Sequence, residues 1–413
     1  MIDNTAGPIK AAQKSSHALG LFWLGQTISS LGDSFTGFAL PLLVYKLTGS
    51  ALNLAISSAV TFVPYLLFGM TIGALADRVD RRRLMIATDI ACALLIASIP
   101  LLAMAGFFTL WYVYAVEFVV ATLSIGFNAA QAAALPSLVE RDALVAANGR
   151  MIAGLSVAAI VGPLLAGGLS ALVSLPALLL VDALSFLVSA LALGLIRRSF
   201  NTAARPVPAR LRQEIADGLR YVWRNPLIRT ITLLLLCLNV VGPTARIQLL
   251  LFAKQQLGAS DAQVGLLWSA AAVGVLASSL AAGRLRRRWP MGNIAIGAVI
   301  IQALLLLGFA QARHYWPALL LWGLRSSVSV LVDINIMALR QATVPNQLLG
   351  RVTTMSRTIG FAAIPLSTLL GGALIDRLGD VALVYSAIGA LTLLIGCGFI
   401  RSPLAHASAD DRR

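Results

Sequence analysis

The sequence predicts an all-α integral membrane protein with twelve transmembrane helices, and three observations lead to this fold class. First, 58% of the 413 residues are hydrophobic and 12% are charged, whereas soluble proteins carry roughly 25% charged residues. Second, apolar runs of about 20 residues, enough to cross a bilayer as a helix, recur along the chain. Third, arginines concentrate between those runs. A soluble core could not bury so much apolar surface, so the chain is expected to lie in a membrane.

The apolar runs fall into two sets of six, separated by a polar linker at 198–227. The predicted spans are 18–45, 51–76, 83–105, 109–134, 146–172 and 176–197, followed by 228–254, 262–283, 291–312, 315–340, 351–375 and 380–400. They define bundles at 18–197 and 228–401, with tails at 1–17 and 402–413. The first run is too long for a cleavable signal peptide and is expected to remain as a span.

The distribution of lysine and arginine predicts the orientation. One set of loops, which includes the linker, is rich in arginine, and the opposite set holds little beyond Lys46, Lys254, Arg313 and Arg377. The basic side of a multi-pass protein is cytoplasmic. Both termini are therefore expected in the cytoplasm, with the chain in the inner (cytoplasmic) membrane. The net charge of +15 fits this bias and contact with anionic headgroups, and no motif for reading nucleic acid accompanies it.

Similar short motifs occur at corresponding positions of the two halves. Span four ends in Gln-Ala-Ala-Ala-Leu-Pro at 131–136, and span ten ends in Gln-Ala-Thr-Val-Pro at 341–345. A glycine pair at 167–168 in span five returns at 371–372 in span eleven. This parallel repeat predicts two pseudo-symmetric six-helix bundles.

The linker combines apolar and basic residues in a helical pattern. Leu211, Ile215, Leu219 and Val222 recur at helical spacing, and arginines occupy other positions. The pattern is typical of an amphipathic helix on the cytoplasmic leaflet. A solvated tether between the bundles is the alternative.

The loop between spans two and three carries the most informative motif, Gly-Ala-Leu-Ala-Asp-Arg-Val-Asp-Arg-Arg-Arg at 73–83. It resembles the corresponding loop of the major facilitator superfamily, Gly-x-Leu-Ala-Asp-Arg-x-Gly-Arg-Arg. The resemblance implies a secondary transporter whose two bundles surround a central cavity. The residues to which it assigns a gating role are Gly73, Asp77, Arg78, Arg81 and Arg82. Asp80 replaces the second glycine and is expected to keep a tight turn, because Asp tolerates left-handed backbone.

The gate would act through charges on the cytoplasmic side. Asp77 is expected to face the positive N-terminus of a helix, which the family resemblance identifies as helix eleven, beginning near Gly350. Arg78 is expected to pair with Glu140 or Asp142. Topology marking is the alternative role for the arginine run.

Span five contains small residues around a proline, and this string resembles the Gly-x-x-x-Gly-Pro-x-x-Gly-Gly motif of superfamily antiporters. The matching residues are Gly162, Pro163, Gly167 and Gly168. Ala158 and Ala166 stand where the family has glycine. The resemblance implies antiport, and ordinary close packing through small residues is the alternative.

Further segments resemble the branch that contains the enterobactin exporter and macrolide efflux proteins. They are 25–33, 45–50, 135–139, 147–149 and 218–226. The resemblance implies export of amphipathic small molecules, drugs or siderophores, driven by protons.

Ionisable residues inside the spans are the first functional candidates, because a charge in the bilayer is costly and usually faces a cavity. The histidines lie outside the spans, so a carboxylate would carry the coupled proton. The candidates, in order, are Asp33, Glu117, Asp333 and Asp182. The residues predicted to line the substrate cavity are Gln26, Ser30, Ser124, Asn128, Asn239, Arg246 and Arg325. For Asp33 the alternative role is to cross-link helices through hydrogen bonds.

The expected partners are a small-molecule substrate, protons and the lipid bilayer, and the expected state is a monomer without cofactor or metal. Cys92, Cys237 and Cys397 lie in apolar runs without metal-ligand spacing. A lysolipid or lipid translocator and a small-solute importer are the alternative functions on the same fold. No nucleophile elbow, metal cluster or phosphate loop in the sequence indicates an enzyme.

Overall fold

The computed structural model describes residues 6–76, 78–107, 109–196, 200–201, 211–405 and 407, and its secondary structure there is helical. The helices before the linker are α1 (Ala6–Thr48), α2 (Ala51–Ala76), α3 (Arg81–Met104), α4 (Leu110–Leu138), α5 (Leu144–Leu169) and α6 (Leu175–Leu195). The linker contains α7 (Leu211–Arg224). The helices after it are α8 (Pro226–Val241), α9 (Pro243–Ile247), α10 (Leu249–Gln255), α11 (Asp261–Arg286), α12 (Met291–Ala310), α13 (Tyr315–Thr343), α14 (Asn346–Phe361), α15 (Ala363–Leu378) and α16 (Val381–Gly398).

Within the described ranges, 11 stretches are long and apolar enough to cross a bilayer. They lie in α1 to α6, in α11 to α13, in the run Leu348–Leu378 and in α16. The all-helical, multi-pass fold class is therefore confirmed. The seventh predicted span, 228–254, is not one straight helix, because it is divided into α8, α9 and α10.

The division of the seventh span has local causes. Pro243 is the first residue of α9, and a proline has no N–H to donate to the preceding turn. Gly242 before it ends α8 by donating to the carbonyl of Leu238. Gln248 then leaves the helical region, with φ −85° and ψ 7°, between α9 and α10. The break sets the short helix α9 apart within the membrane span.

Polar residues fix several helix ends. Asp80 is extended, with φ −65° and ψ 111°, and its side chain accepts from the N–H of Arg83 at the start of α3. The left-handed turn expected at Asp80 is therefore replaced by an ordinary N-cap. Ser260 and Gln263 form a capping box on α11. Gly379, with φ 66°, ends α15 in the left-handed conformation.

Contacts divide the chain into two units, each with its own apolar core. The first unit comprises Met1–Leu43 and Val60–Pro206, and the second comprises Val44–Ala59 and Val207–Arg413. The hairpin at 44–59, made by the end of α1 and the start of α2, thus belongs to the second unit. The rest of both helices belongs to the first unit, so α1 and α2 each run from one unit into the other.

Candidate functional site

Three aspartates from three helices lie together inside the first unit, and we call them the aspartate cluster: Asp33 of α1, Asp89 of α3 and Asp182 of α6. The charge of Asp33 interacts with those of Asp89 and Asp182. Asp33 is exposed, whereas Asp89 and Asp182 retain only 2% and 1% of their accessible surface. The cluster therefore joins one exposed residue to two that are shut away from solvent.

Glycines on α1 bring this helix against α6 at the cluster. A Cβ atom on Gly32 would collide with the Ser185 hydroxyl and would lie 2.5 Å from Asp182 Oδ1. Seven residues earlier on the same face, a Cβ atom on Gly25 would lie 2.9 Å from Ala192 Cβ. Small residues allow such close helix approach in membranes. Gly32 therefore positions α1 against the buried carboxylate of Asp182.

We expect Gly32→Ala to destabilise the first unit, because its methyl group overlaps the Ser185 hydroxyl. Overpacking of this kind costs about 1–3 kcal/mol. Gly37→Ala on the same helix is the matched control, since nothing lies within 4 Å of a Cβ atom there. Alanine stabilises a helix by up to about 1 kcal/mol over glycine, so Gly37→Ala should not lower the Tm in detergent. Equal Tm changes in both variants would contradict the role of Gly32.

Hydroxyl groups hold the carboxylate of Asp182. Thr36, one turn after Asp33 on α1, donates a short hydrogen bond to Asp182 Oδ2. The Ser185 hydroxyl lies 3.1 Å from Asp182 Oδ1 and 2.8 Å from the Asp182 carbonyl. Both carboxylate oxygens of Asp182 thus have a donor, which fixes the side chain between α1 and α6.

A chain of polar side chains leads to Asp89. Gln131 of α4 donates to Gln26 Oε1 (2.6 Å), and Gln26 Nε2 donates to Ser189 Oγ (3.0 Å). Ser189 in turn forms a hydrogen bond with the Asp89 side chain. The other oxygen, Asp89 Oδ2, is buried and has no hydrogen-bond partner in the described part of the chain. Burying a charged oxygen without a hydrogen-bond partner costs free energy. A proton bound at Oδ2 would neutralise the charge and so lower this cost.

The small residues of α5 pack against α1. The Ser34 hydroxyl donates to the Ala158 carbonyl (3.1 Å), and a Cβ atom on Gly162 would collide with Ser34. Pro163 is buried beside this contact. A Cβ atom on Gly168, in contrast, would have nothing within 4 Å. Gly162 thus allows α5 to pack against Ser34, the residue after Asp33. Gly168 does not have this packing role.

In the described ranges, the contacts of the other polar candidates of the first unit are with residues outside the aspartate cluster. Glu117 is buried on α4 and its charge acts on Tyr114, one turn away. Asn128 is exposed and lies 3.4 Å from the Tyr65 hydroxyl. The Ser124 hydroxyl donates to the Val120 carbonyl of its own helix, and the Ser30 carbonyl accepts from Ser34.

The arginines of the 73–83 loop bind backbone carbonyls. Arg81 donates to the carbonyls of Ala133 (3.1 Å) and Phe200 (3.2 Å). Arg82 donates to the carbonyls of Leu193 (2.8 Å) and Gly194 in the last turn of α6. Cations at a helix C-terminus are stabilising, so Arg82 caps α6.

The remaining loop residues have fewer contacts. Gly73 has open space around its Cα. Glu140 and Asp142 are exposed, and in the described ranges neither forms the expected ion pair with Arg78. Asp77 lies outside the described residues, so its gating role stays a prediction.

In the second unit, two arginines lie beside the aromatic side chains of Trp322 and Tyr385. The charges of Arg246 on α9 and Arg325 on α13 interact with each other, and Arg325 also interacts with Tyr385. The Arg325 guanidinium lies 4.7 Å from the centroid of the Trp322 ring, a favourable cation–π contact. The Tyr385 hydroxyl donates to the Ala245 carbonyl (2.5 Å). The broken span thus places Arg246 where Tyr385 anchors α9.

Asp333 and Asn239 lie elsewhere in the second unit. Asp333 is exposed on α13 and its charge interacts with Arg357 of α14. Asn239 on α8 faces Gly360, where an added Cβ atom would lie 3.4 Å from Asn239 Nδ2. The described residues contain no ion pair between Arg325 and Asp333.

A second carboxylate site, which we call the hairpin anchor, holds the 44–59 hairpin within the second unit. Asp376 of α15 accepts from the Ser50 hydroxyl (2.6 Å) and from the N–H groups of Ala51 (2.8 Å) and Leu52 (3.1 Å). Buried Gln248 donates to the Ala51 carbonyl (2.7 Å). Asp376 therefore satisfies the free N–H groups at the start of α2.

Close packing and ion pairs support the hairpin anchor. A Cβ atom on Gly372 would lie 2.8 Å from the Ala51 carbonyl, so only glycine allows this approach without a shift. Lys46 and Lys254 bind the two oxygens of Asp261 at 2.7 Å and 2.5 Å. The hairpin is thus fixed to α11 and α15, and to Gln248 just before α10.

Sequence reasoning missed two of these carboxylates. Asp89 stands inside the third apolar run and could have been found by the same rule that selected Asp33. Asp376 follows the glycine pair of the eleventh span, but its partners are backbone groups distant in sequence. Asp182 is the fourth of the predicted carboxylates, yet the structure brings it together with Asp33.

The comparisons with known proteins agree with the helical fold. A sequence model of the Major Facilitator Superfamily matches residues 22–368. The multidrug efflux pump Tap of Mycolicibacterium fortuitum is 27% identical over 380 residues, covering 88% of this chain and 90% of Tap. Macrolide efflux protein A of Streptococcus pyogenes is 26% identical over 204 residues, covering 49% of this chain and 50% of that protein.

A solved structure shares the fold at low sequence identity. The crystal structure of a bacterial homologue of the human lysosomal transporter Spinster, in an inward-facing and occupied conformation, superposes with a TM-score of 0.75. The match has 12% sequence identity and covers 96% of this chain and 98% of that structure. At this identity the likeness concerns the fold alone.

Proposed function

Because the chain belongs to the Major Facilitator Superfamily, whose members are transporters and not enzymes, we propose that it exports amphipathic small molecules by proton antiport. Substrate and protons would cross in opposite directions by alternating access. The chain is a multi-pass membrane protein, and we place both termini in the cytoplasm on the basis of its arginine distribution.

The aspartate cluster is the observation that carries the proposal. Asp33 is exposed, and the buried Asp89 has an oxygen for which the described residues provide no hydrogen-bond donor. Neighbouring carboxylates repel each other when all are charged, so binding of a proton anywhere in the cluster relieves the repulsion. Asp33 would exchange protons with solvent, and Asp89 and Asp182 would share the charge.

Two further features support export of amphipathic molecules. The relatives include proteins named as a multidrug efflux pump and a macrolide efflux protein. The exposed Arg246 and the half-buried Arg325 are cations beside the aromatic rings of Trp322 and Tyr385, which are themselves buried. Mostly apolar walls with few polar groups are typical of sites for such ligands. We propose drugs as the first substrate class and siderophores as the second.

The purified protein in liposomes tests this function. With the arginine-rich side facing out and an acidic lumen, we expect a hydrophobic cation or a macrolide to accumulate inside. An ionophore that collapses the pH gradient should abolish accumulation, and liposomes without protein give the background. Absence of gradient-dependent movement for any hydrophobic cation, macrolide or siderophore would contradict the proposal. Movement of lysolipid, or of a solute in the import direction, would instead favour the alternative functions.

A further inference from the structure

A basic cavity lies where the linker helix meets the start of the seventh span. It has a volume of about 620 Å³, and its lining includes Arg220, Tyr221, Arg224, Asn225 and Leu348, with Asp217 at one side. The axis of α7 turns by 101° into α8 at this point. If α8 runs across the membrane, α7 lies close to the membrane plane. The cavity is then level with the lipid headgroups.

The surface of α7 is divided into three strips. Gly218 and Val222 face the protein: a Cβ atom on Gly218 would lie 3.1 Å from the Arg351 carbonyl, and Val222 is 1% exposed. The next strip is apolar and exposed, because Leu219 and Trp223 retain 39% and 52% of their accessible surface. A helix at the membrane interface buries such a strip among acyl chains.

The third strip is basic and lines the cavity. Arg220 and Arg224, one turn apart and both exposed, stand beside the apolar strip. Asp217, the acid among the described residues that line the cavity, forms an ion pair with Arg351 of α14 (3.5 Å), which offsets its charge. The cavity therefore presents two arginines at the depth where phosphate groups of lipids lie.

We propose that this cavity binds the headgroup of an anionic phospholipid. Arg220 and Arg224 would donate to the phosphate, as arginine does in bidentate pairs. The acyl chains would lie along Leu219 and Trp223. This site is independent of the proposed export function, because it requires neither the aspartate cluster nor a transported substrate.

Native mass spectrometry of the purified full chain tests the site, with phosphatidylglycerol and phosphatidylcholine as probes. We expect preferential binding of phosphatidylglycerol, and a loss of roughly 25-fold in its affinity in the Arg220→Gln/Arg224→Gln variant, since each arginine near an anionic surface contributes about fivefold. Affinity for phosphatidylcholine should fall much less, because its choline group offsets the phosphate charge that the arginines attract. The charge-preserving Arg220→Lys/Arg224→Lys variant should retain most of the preference and shows that the helix still folds.

Arg287→Gln/Arg288→Gln is the matched control, because these two exposed arginines lie on the same predicted side but not at the cavity. An equal loss in this control would mean that bulk charge, not a site, attracts the lipid, and would overturn the proposal. The same holds if the protein does not prefer phosphatidylglycerol. Inorganic phosphate in excess should not displace the lipid, and displacement would assign the cavity to a free anion instead.

Discussion

Replacement of Asp33 by Asn is expected to abolish export driven by a pH gradient while the protein still folds and binds its substrate. Asn has nearly the shape of Asp but cannot bind and release a proton. Asp33 is the exposed member of the aspartate cluster, so its loss would separate Asp89 and Asp182 from solvent. Accumulation in liposomes with an acidic lumen should fall to the level of liposomes without protein.

Exchange of labelled for unlabelled substrate, without a pH gradient, separates the possible roles of Asp33. If Asp33 carries only the proton, exchange persists in Asp33→Asn. Asp142→Asn is the matched control, because Asp142 is an exposed carboxylate in the one-turn 3₁₀ helix Arg141–Ala143 between α4 and α5, and we expect unchanged transport. Wild-type pH dependence in Asp33→Asn would remove Asp33 from coupling. Loss of exchange together with normal folding would assign Asp33 to the substrate site.

The fold could be predicted because the hydropathy of a single apolar run is enough to identify a membrane span. The site, in contrast, depends on how several helices are rotated relative to one another. Asp33 was found from a single run. Its grouping with Asp89 and Asp182 depends on the close approach of α1 to α6 at Gly32, which the pattern of α1 alone does not show. The two candidates Gln26 and Asp33 of α1 also differ in the structure, because Gln26 is buried against Ser189 while Asp33 is exposed.

Besides the rotation of the helices, the hydropathy pattern did not predict the helix breaks. The apolar run at 228–254 is continuous in composition, yet Gly242 and Pro243 stand in its middle and divide it. The break affects the polar site of the second unit, because α9 places Arg246 beside Arg325 and Tyr385. Gly162 and Pro163 form the same pair inside α5, which stays continuous, so a Gly-Pro pair alone does not predict a break.

The hairpin anchor leads to the second large effect, which is expected in Asp376→Asn. The carboxylate accepts three hydrogen bonds from Ser50, Ala51 and Leu52, and a hydrogen bond to a charged group contributes about 1.5–3 kcal/mol. Asn keeps one acceptor oxygen but loses the charge that faces the positive N-terminus of α2. We expect the amides of Ala51 and Leu52 to exchange with deuterium at least about tenfold faster, since 1.4 kcal/mol corresponds to a factor of ten.

The hairpin belongs to the second unit while the rest of α1 and α2 belongs to the first, so its release would also change the transport rate if it must detach during the cycle. Asp380→Asn is the matched control, because Asp380 caps α16 by accepting from Leu383 (2.9 Å) and does not touch the hairpin. It should accelerate exchange at the start of α16 and leave 44–59 unchanged.

Wild-type exchange at 51–52 in Asp376→Asn would show that Gln248, Lys46 and the packing at Gly372 hold the hairpin without Asp376. Faster exchange with an unchanged transport rate would mean that the anchor stabilises the hairpin but does not take part in the cycle.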